Sequence, residues 1–278
     1  MLPNVKRPHI RQWYRFIPTG LTLGNSLCGF GAILNLLHIY AVTTIAERAE
    51  ILGTSAWLIV GAMIFDMLDG WIARMLNAMS LHGAQMDSLA DMVTFGVAPA
   101  VMVAVMAHTL DARLIDYRWV WALCAVYMGC AALRLALYNV HAIAGTGKPT
   151  EFSGLPSPGA AAAVVTLVLF YTDPKLDADI AMLSQLLPVY AGVIGLLMVS
   201  PIEYPHVGRW LGSARHNKLK MLAVITLGIL YGWRPRLITM LAANAYVLAG
   251  PVAHLVRICL TRLPVPPPDT ECNEAESH

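Results

Sequence analysis

The chain has 278 residues, 57% of them hydrophobic and only 13% charged, with a formal net charge of +2 and a mean hydropathy of +0.60. This composition excludes a soluble domain and identifies an all-α membrane protein with several spans; nucleic acid is not among the expected partners. Cys28, Cys124, Cys130, Cys259 and Cys272 are an odd number, mostly in apolar stretches, and suggest neither a disulfide framework nor a zinc site.

Residues 1–15 form a basic segment in which Arg7, Arg11 and Arg15 recur every four residues among Trp13, Tyr14 and Phe16. That pattern reads either as an amphipathic helix on an anionic leaflet or as a positive flank with aromatic anchors. No apolar core with a cleavage site follows, so the segment does not read as a removable signal peptide. Stretches free of Asp, Glu, Lys and Arg then run over 16–46, 51–65, 92–110, 119–133, 152–172, 180–202, 221–233 and 237–256. Extended into their flanks they predict eight transmembrane helices. The organisation expected is an interfacial segment at 1–15, a six-helix core at 16–203, a two-helix extension at 204–262 and a disordered tail at 263–278.

Thr22 and Asn25, one turn apart on the first span, are candidate polar contacts to a ligand or hydrogen-bonding groups between helices. The end of the second span reads Asp66-Met-Leu-Asp69-Gly70-Trp-Ile-Ala73-Arg74, and after eight residues comes Gly83-Ala-Gln-Met-Asp87-Ser-Leu-Ala-Asp91. At about 100° per residue 66, 69, 70, 73 and 74 share one helix side, and so do 83, 87 and 91. Four uncompensated acids at such depth would cost on the order of 10 kcal/mol or more. Hard oxygens converging from two helices suit Mg²⁺ or Mn²⁺, which keep positions open for water and substrate phosphates. Gly70 and Gly83 let a ligand approach closely, and Arg74 suits a phosphate oxygen or a carboxylate. His82 reads as a turn or interface residue.

Connections at 47–50, 111–118 and 173–179 have acids and bases in near balance, whereas Lys6, Arg7, Arg11, Arg15, Arg209, Arg215, Lys218 and Lys220 mark the cytoplasmic side. The four aspartates then lie near the cytoplasmic face of the cell membrane. Arg234 and Arg236 oppose this trend, leaving a re-entrant hairpin open for the last two spans. Arg134 ends an uncharged run and is costly unless it meets a counter-charge or a cavity; it binds an anionic group of the substrates or pairs with an aspartate. Asn139 is a further candidate for the same pocket. Gly154-Leu-Pro156-Ser-Pro158 leads into the fifth helix at the same membrane face, either as a loop shaping that pocket or as a plain helix-entry turn.

The run from Asp66 to Asp91 resembles the signature of the CDP-alcohol phosphatidyltransferase family, D-x-x-D-G-x-x-A-R, a spacer, then G-x-x-x-D-x-x-x-D. Asp87 to Ala100, Leu133 to Asn139 and Phe152 to Pro158 are most similar to its phosphatidylserine synthase branch, although Leu137 stands where that branch commonly has a second arginine. The resemblance, over residues 15–200, implies that Asp66, Asp69 and Asp87 hold a divalent metal, Mg²⁺ or Mn²⁺. Asp91 is then the general base and a further contact to the metal. Gly70, Ala73, Arg74 and Gly83, with Thr22 and Asn25, are expected on the CDP-lipid side, and Arg134 and Asn139 on the serine side. The implied reaction takes CDP-diacylglycerol and L-serine to phosphatidylserine and CMP in a homodimer. Sister activities on glycerol 3-phosphate, inositol or choline, and a cation transporter, are the alternatives; no internal repeat supports the transporter.

Overall fold

The computed structural model describes residues 16–76, 81–109, 115–144, 154–173, 180–204, 231–232 and 234–261. The basic segment at 1–15, almost all of the expected seventh span and the tail from 263 lie outside them. The helices are α1 (Phe16–Leu37), α2 (Ile45–Met75), α3 (Leu81–Asp91), α4 (Ala98–Thr109), α5 (Tyr117–Ala144), α6 (Ser157–Tyr171), α7 (Ile180–Val199) and α8 (Pro235–Thr261). A 3₁₀ turn (His38–Ala41) follows α1, and a π-helical segment (Met92–Val97) joins α3 to α4 as one rod.

Among the described residues, five helical stretches are long and apolar enough to cross a membrane: Ile17–Ala41, Ile45–Met75, His82–Thr109, Tyr117–Val140 and Pro235–Cys259. Ser157–Tyr171 and Leu183–Val199 are shorter apolar helices. The first connection departs from expectation, since 47–50 is not a loop but the opening of α2. Thr44 Oγ1 accepts from the Glu47 amide at 3.3 Å and donates to Glu47 Oε2 at 2.7 Å. That N-cap starts the helix early and sets an acid at its positive end. The eighth span also differs from a re-entrant arm: the 27 residues of α8 reach about 40 Å, enough to cross a bilayer outright.

Contacts fix the helix directions. Asn35 Nδ2 of α1 donates to the Ile51 carbonyl and Ser55 Oγ of α2, while Thr22, more than three turns earlier, meets Asp69, so α1 and α2 are antiparallel. Arg48 at the start of α2 donates to the Thr109 carbonyl at the end of α4. Gly154, just before α6, donates to the Ser200 carbonyl just after α7 at 3.1 Å. The start of α1, end of α2, start of α3, end of α5, start of α6 and end of α7 therefore meet at one end of the bundle.

α6 is the central helix: Ala160, Ala161, Ala163, Val164, Val165 and Val168 are wholly buried. Its small side chains let neighbouring helices come close, the means of association available where lipid is as apolar as the core. The same logic applies where α5 crosses α7, since a Cβ at Gly195 would lie 2.7 Å from the Tyr127 Cα. Outward-facing Leu23, Leu27, Phe30, Leu241, Leu248 and Leu255 are exposed, as lipid-facing positions require.

The π segment has a local cause. Pro99 has no N–H, so in α-helical register the Phe95 carbonyl would lack its donor. The hydroxyl of the wholly buried Tyr127 donates to that carbonyl at 2.9 Å, and the Ala98 amide reaches back five residues to the Val93 carbonyl. π bulges of this kind are frequent at functional sites, and this one begins directly after Asp91.

Candidate metal and phosphotransfer site

Asp66 and Asp69 sit near the end of α2, and Asp87 and Asp91 on α3. One carboxylate oxygen from each of Asp66, Asp69 and Asp87 lies within 4.8 Å of the other two. Asp91 is buried beside this group and takes a hydrogen bond at its Oδ1 from Asn25 Nδ2 at 3.0 Å. Two carboxylates at such separation repel by on the order of 3 kcal/mol at an effective dielectric near 20. Among the described residues no lysine, arginine or histidine pairs with any of the four. Asp87 Oδ1 is moreover buried without a hydrogen-bond partner. A clustered, acceptor-only oxygen set with an unsatisfied member and no basic counter-charge fits a hard divalent cation.

α1 forms the third side. Thr22 Oγ1 lies 3.0 Å from Asp69 Oδ2 and 3.0 Å from the Pro18 carbonyl; its single proton favours the charged acceptor. Thr22 and Asn25 thus make the interhelical hydrogen bonds expected of one reading, and their partners are the site's own carboxylates. Gly70 is exposed, and a Cβ there would meet nothing within 4 Å. Arg74 is also exposed and donates from Nε to the Gly70 carbonyl at 3.0 Å; Ala73 and Gly83 are half-buried, and His82 is exposed.

The two residues expected on the serine side point apart. Ser88 Oγ donates to Asn139 Oδ1 at 3.0 Å beside a groove of about 360 Å³ lined by Gln85, Ser88, Leu89, Met92, Ala136 and Asn139. On α3 these residues occupy the face opposite Gly83, Asp87 and Asp91. Arg134 faces α7, donating to the Met198 carbonyl at 3.4 Å, with the phenols of Tyr246 and Tyr138 as electrostatic neighbours. It forms no ion pair with an aspartate among the described residues, so the structural pairing weighed for it is not made. Arg134 has five N–H donors and lies at the bundle end that holds the carboxylates.

The turn before α6 builds the wall behind Arg134. The Leu155 amide donates to the Leu197 carbonyl at 3.1 Å, and a Cβ at Gly154 would lie 2.1 Å from the Met198 carbonyl oxygen, so only glycine fits. α8 closes over the same region: the rings of Tyr246 and Tyr204 pack tilted by 49° with centroids 5.7 Å apart, and the Tyr204 hydroxyl donates to the Val247 carbonyl at 3.2 Å. Burial, and then Tyr246 alongside, pushes the Tyr204 phenol above its ordinary range, keeping it a donor. Tyr190 likewise donates to Asn244 of α8.

Sequence reasoning misses Thr94 and Tyr127. Thr94 Oγ1 donates to the Asn25 carbonyl at 3.1 Å, and a Cβ at Gly29 would lie 2.8 Å from the Thr94 Cα, so α1 and the π segment are in backbone contact beside the site. The linear signal for Tyr127's role is Pro99, which implies an orphaned Phe95 carbonyl without indicating what answers it.

The family model for CDP-alcohol phosphatidyltransferase matches residues 15–250, from the start of α1 into α8. The chain is 34% identical over 193 residues to the CDP-diacylglycerol--serine O-phosphatidyltransferase of Bacillus subtilis, covering 69% of this chain and 90% of that protein. It is 35% identical over 159 residues to the archaetidylserine synthase of Methanothermobacter thermautotrophicus, covering 56% of this chain and 60% of that one. A Helicobacter pylori CDP-diacylglycerol--serine O-phosphatidyltransferase is 34% identical over 179 residues, 64% and 70% of the respective chains. With its motif aspartates assembled from two helices into one carboxylate cluster, the chain belongs to the CDP-alcohol phosphatidyltransferase family.

Proposed function

We propose that this membrane enzyme transfers the phosphatidyl group of CDP-diacylglycerol to the hydroxyl of L-serine, releasing CMP. The observation that carries the reading is the group of Asp66, Asp69 and Asp87 oxygens within 4.8 Å of one another in a member of this family. The similar proteins' names have serine in common while differing in the lipid, which supports serine as acceptor over glycerol 3-phosphate, inositol or choline.

Asp66, Asp69 and Asp87 hold Mg²⁺ or Mn²⁺, with Asp91 at the edge of the same site. A metal held there would supply the positive charge that offsets the diphosphate and the charge developing on departing CMP. The serine hydroxyl is a weak nucleophile, and Asp91 takes its proton as the oxygen attacks the lipid-side phosphorus. The new serine oxygen–phosphorus bond forms as the phosphorus–oxygen bond to CMP breaks. Arg134 offers its N–H donors to serine's carboxylate, orienting the hydroxyl. Gly70, Ala73 and Arg74 leave room for the cytidine diphosphate and meet its charge.

The basic residues at 6–15 and 209–220 support a site facing the cytoplasm, where soluble serine is available. The family resemblance supports a homodimer with one site in each protomer.

The testing experiment measures CMP release by purified protein from CDP-diacylglycerol with Mn²⁺ or Mg²⁺, comparing L-serine with the three other alcohols. Release that requires metal and serine is expected. Release with another alcohol instead would keep the family chemistry and discard the acceptor.

A further inference from the structure

We infer that Asn25 on α1 is the positioning residue for the base, holding one oxygen of Asp91 so that the other takes the proton; this rests on the reading of Asp91 as general base. Asn25 is wholly buried and donates from Nδ2 to Asp91 Oδ1 at 3.0 Å. A carboxylate oxygen engaged this way is a weaker proton acceptor than its free twin, and the bond also stops the carboxylate from rotating. The stretch of α1 that carries this amide is held in place. Thr94 Oγ1 donates to the backbone carbonyl of Asn25 at 3.1 Å, and one turn along α1 the approach at Gly29 leaves no space for a side chain.

The four carboxylates thereby divide. Asp66 and Asp87 receive no side-chain hydrogen bond among the described residues and keep their oxygens for a cation, whereas α1 engages Asp91 through Asn25 and Asp69 through Thr22. An uncharged donor suits this position. A lysine or arginine there would neutralise Asp91 and compete with the metal, while serine or alanine would not span the gap between helices. Asn25 Oδ1 is buried without a hydrogen-bond partner among the described residues, so the bond from Nδ2 to Asp91 is what orients the amide.

This role differs measurably from contact with the CDP-lipid. In CMP-release assays with L-serine and Mn²⁺, Asn25→Ala is expected to lower kcat by about 10- to 100-fold. The KM for CDP-diacylglycerol and the Mn²⁺ half-saturation should stay within about threefold of wild type, because the ligand set is intact. Asn25→Asp, which keeps an oxygen and loses the donor, should fall at least as far. In an Asp91→Asn background the alanine change should have no further effect, since both act through one group. Thermal unfolding of each variant in detergent checks folding, and Asn25→Ser replaces the alanine variant if that does not fold.

A raised KM with unchanged kcat would overturn the inference in favour of ligand contact. Wild-type turnover by Asn25→Asp, or an undiminished loss in the Asp91→Asn background, would overturn it as well. Lost turnover in Asp91→Asn with normal turnover in Asn25→Ala would remove this inference alone. Absence of serine-dependent CMP release from wild type would bring down the reaction reading and the inference together.

Discussion

The Tyr127 hydroxyl of α5 donates to the Phe95 carbonyl at 2.9 Å, the carbonyl that Pro99 leaves without a helical donor. One buried phenol on a neighbouring span thus answers the polar group exposed by the π segment that starts directly after Asp91. Tyr127→Phe removes only this donor. It is expected to lower stability by about 1–3 kcal/mol, the cost of an unsatisfied buried carbonyl, read as a lower Tm in detergent. An unchanged Tm would show that the π segment needs no external donor.

Metal dependence should separate Asp66 and Asp87 from Asp91. Chelation with EDTA is expected to abolish CMP release and added Mg²⁺ or Mn²⁺ to restore it. Asp66→Asn and Asp87→Asn should raise the metal half-saturation by more than about tenfold, since each removes a charged oxygen ligand. Asp91→Asn should instead lower kcat by about 10²- to 10⁴-fold with near-normal CDP-lipid binding, the range for loss of a general base. Equal loss of binding in all three would refute this division.

Two glycines should respond in opposite ways to alanine. At Gly154 a Cβ would lie 2.1 Å from a backbone oxygen. No rotamer relieves that clash, so Gly154→Ala must part the α6 entry turn from the end of α7 and lower the Tm. At Gly70, exposed in the interior of α2, a Cβ meets nothing within 4 Å, so Gly70→Ala should slightly raise the Tm through its better helix propensity. If the open space is where the nucleotide sits, Gly70→Ala should still weaken CDP-diacylglycerol binding, measured by equilibrium dialysis with labelled lipid in detergent. Normal binding by the folded variant would remove Gly70 from the site.

Arg134 is the test of acceptor recognition. Arg134→Met keeps the length and apolar stem of the side chain while removing every donor. The KM for L-serine should rise about tenfold or more, as for loss of a charge-assisted hydrogen bond, with the KM for CDP-diacylglycerol unchanged. A rise confined to the CDP-lipid would reassign Arg134 to the diphosphate.

Much of this protein was legible in the sequence because the information is local. Apolar run lengths report bilayer crossing, and a spacing of three or four residues reports a shared helix face. From those rules alone Asp66 and Asp69 had to stand together, as did Asp87 and Asp91, and a cation had to be invoked for them. Local rules do not say which face meets which neighbour. They leave Thr22 and Asn25 as polar residues on a span, whereas packing makes them the donors to Asp69 and Asp91. They allow Arg134 and Asn139 to share a pocket, whereas one turns to α7 and the other to α3. They also miss Tyr127, because a proline announces an orphaned carbonyl but its answering donor comes from a different helix. Only the tertiary structure decides such pairings, since a hydrogen bond between spans depends on their relative rotation and depth, set by close packing at residues such as Gly29 and Gly195.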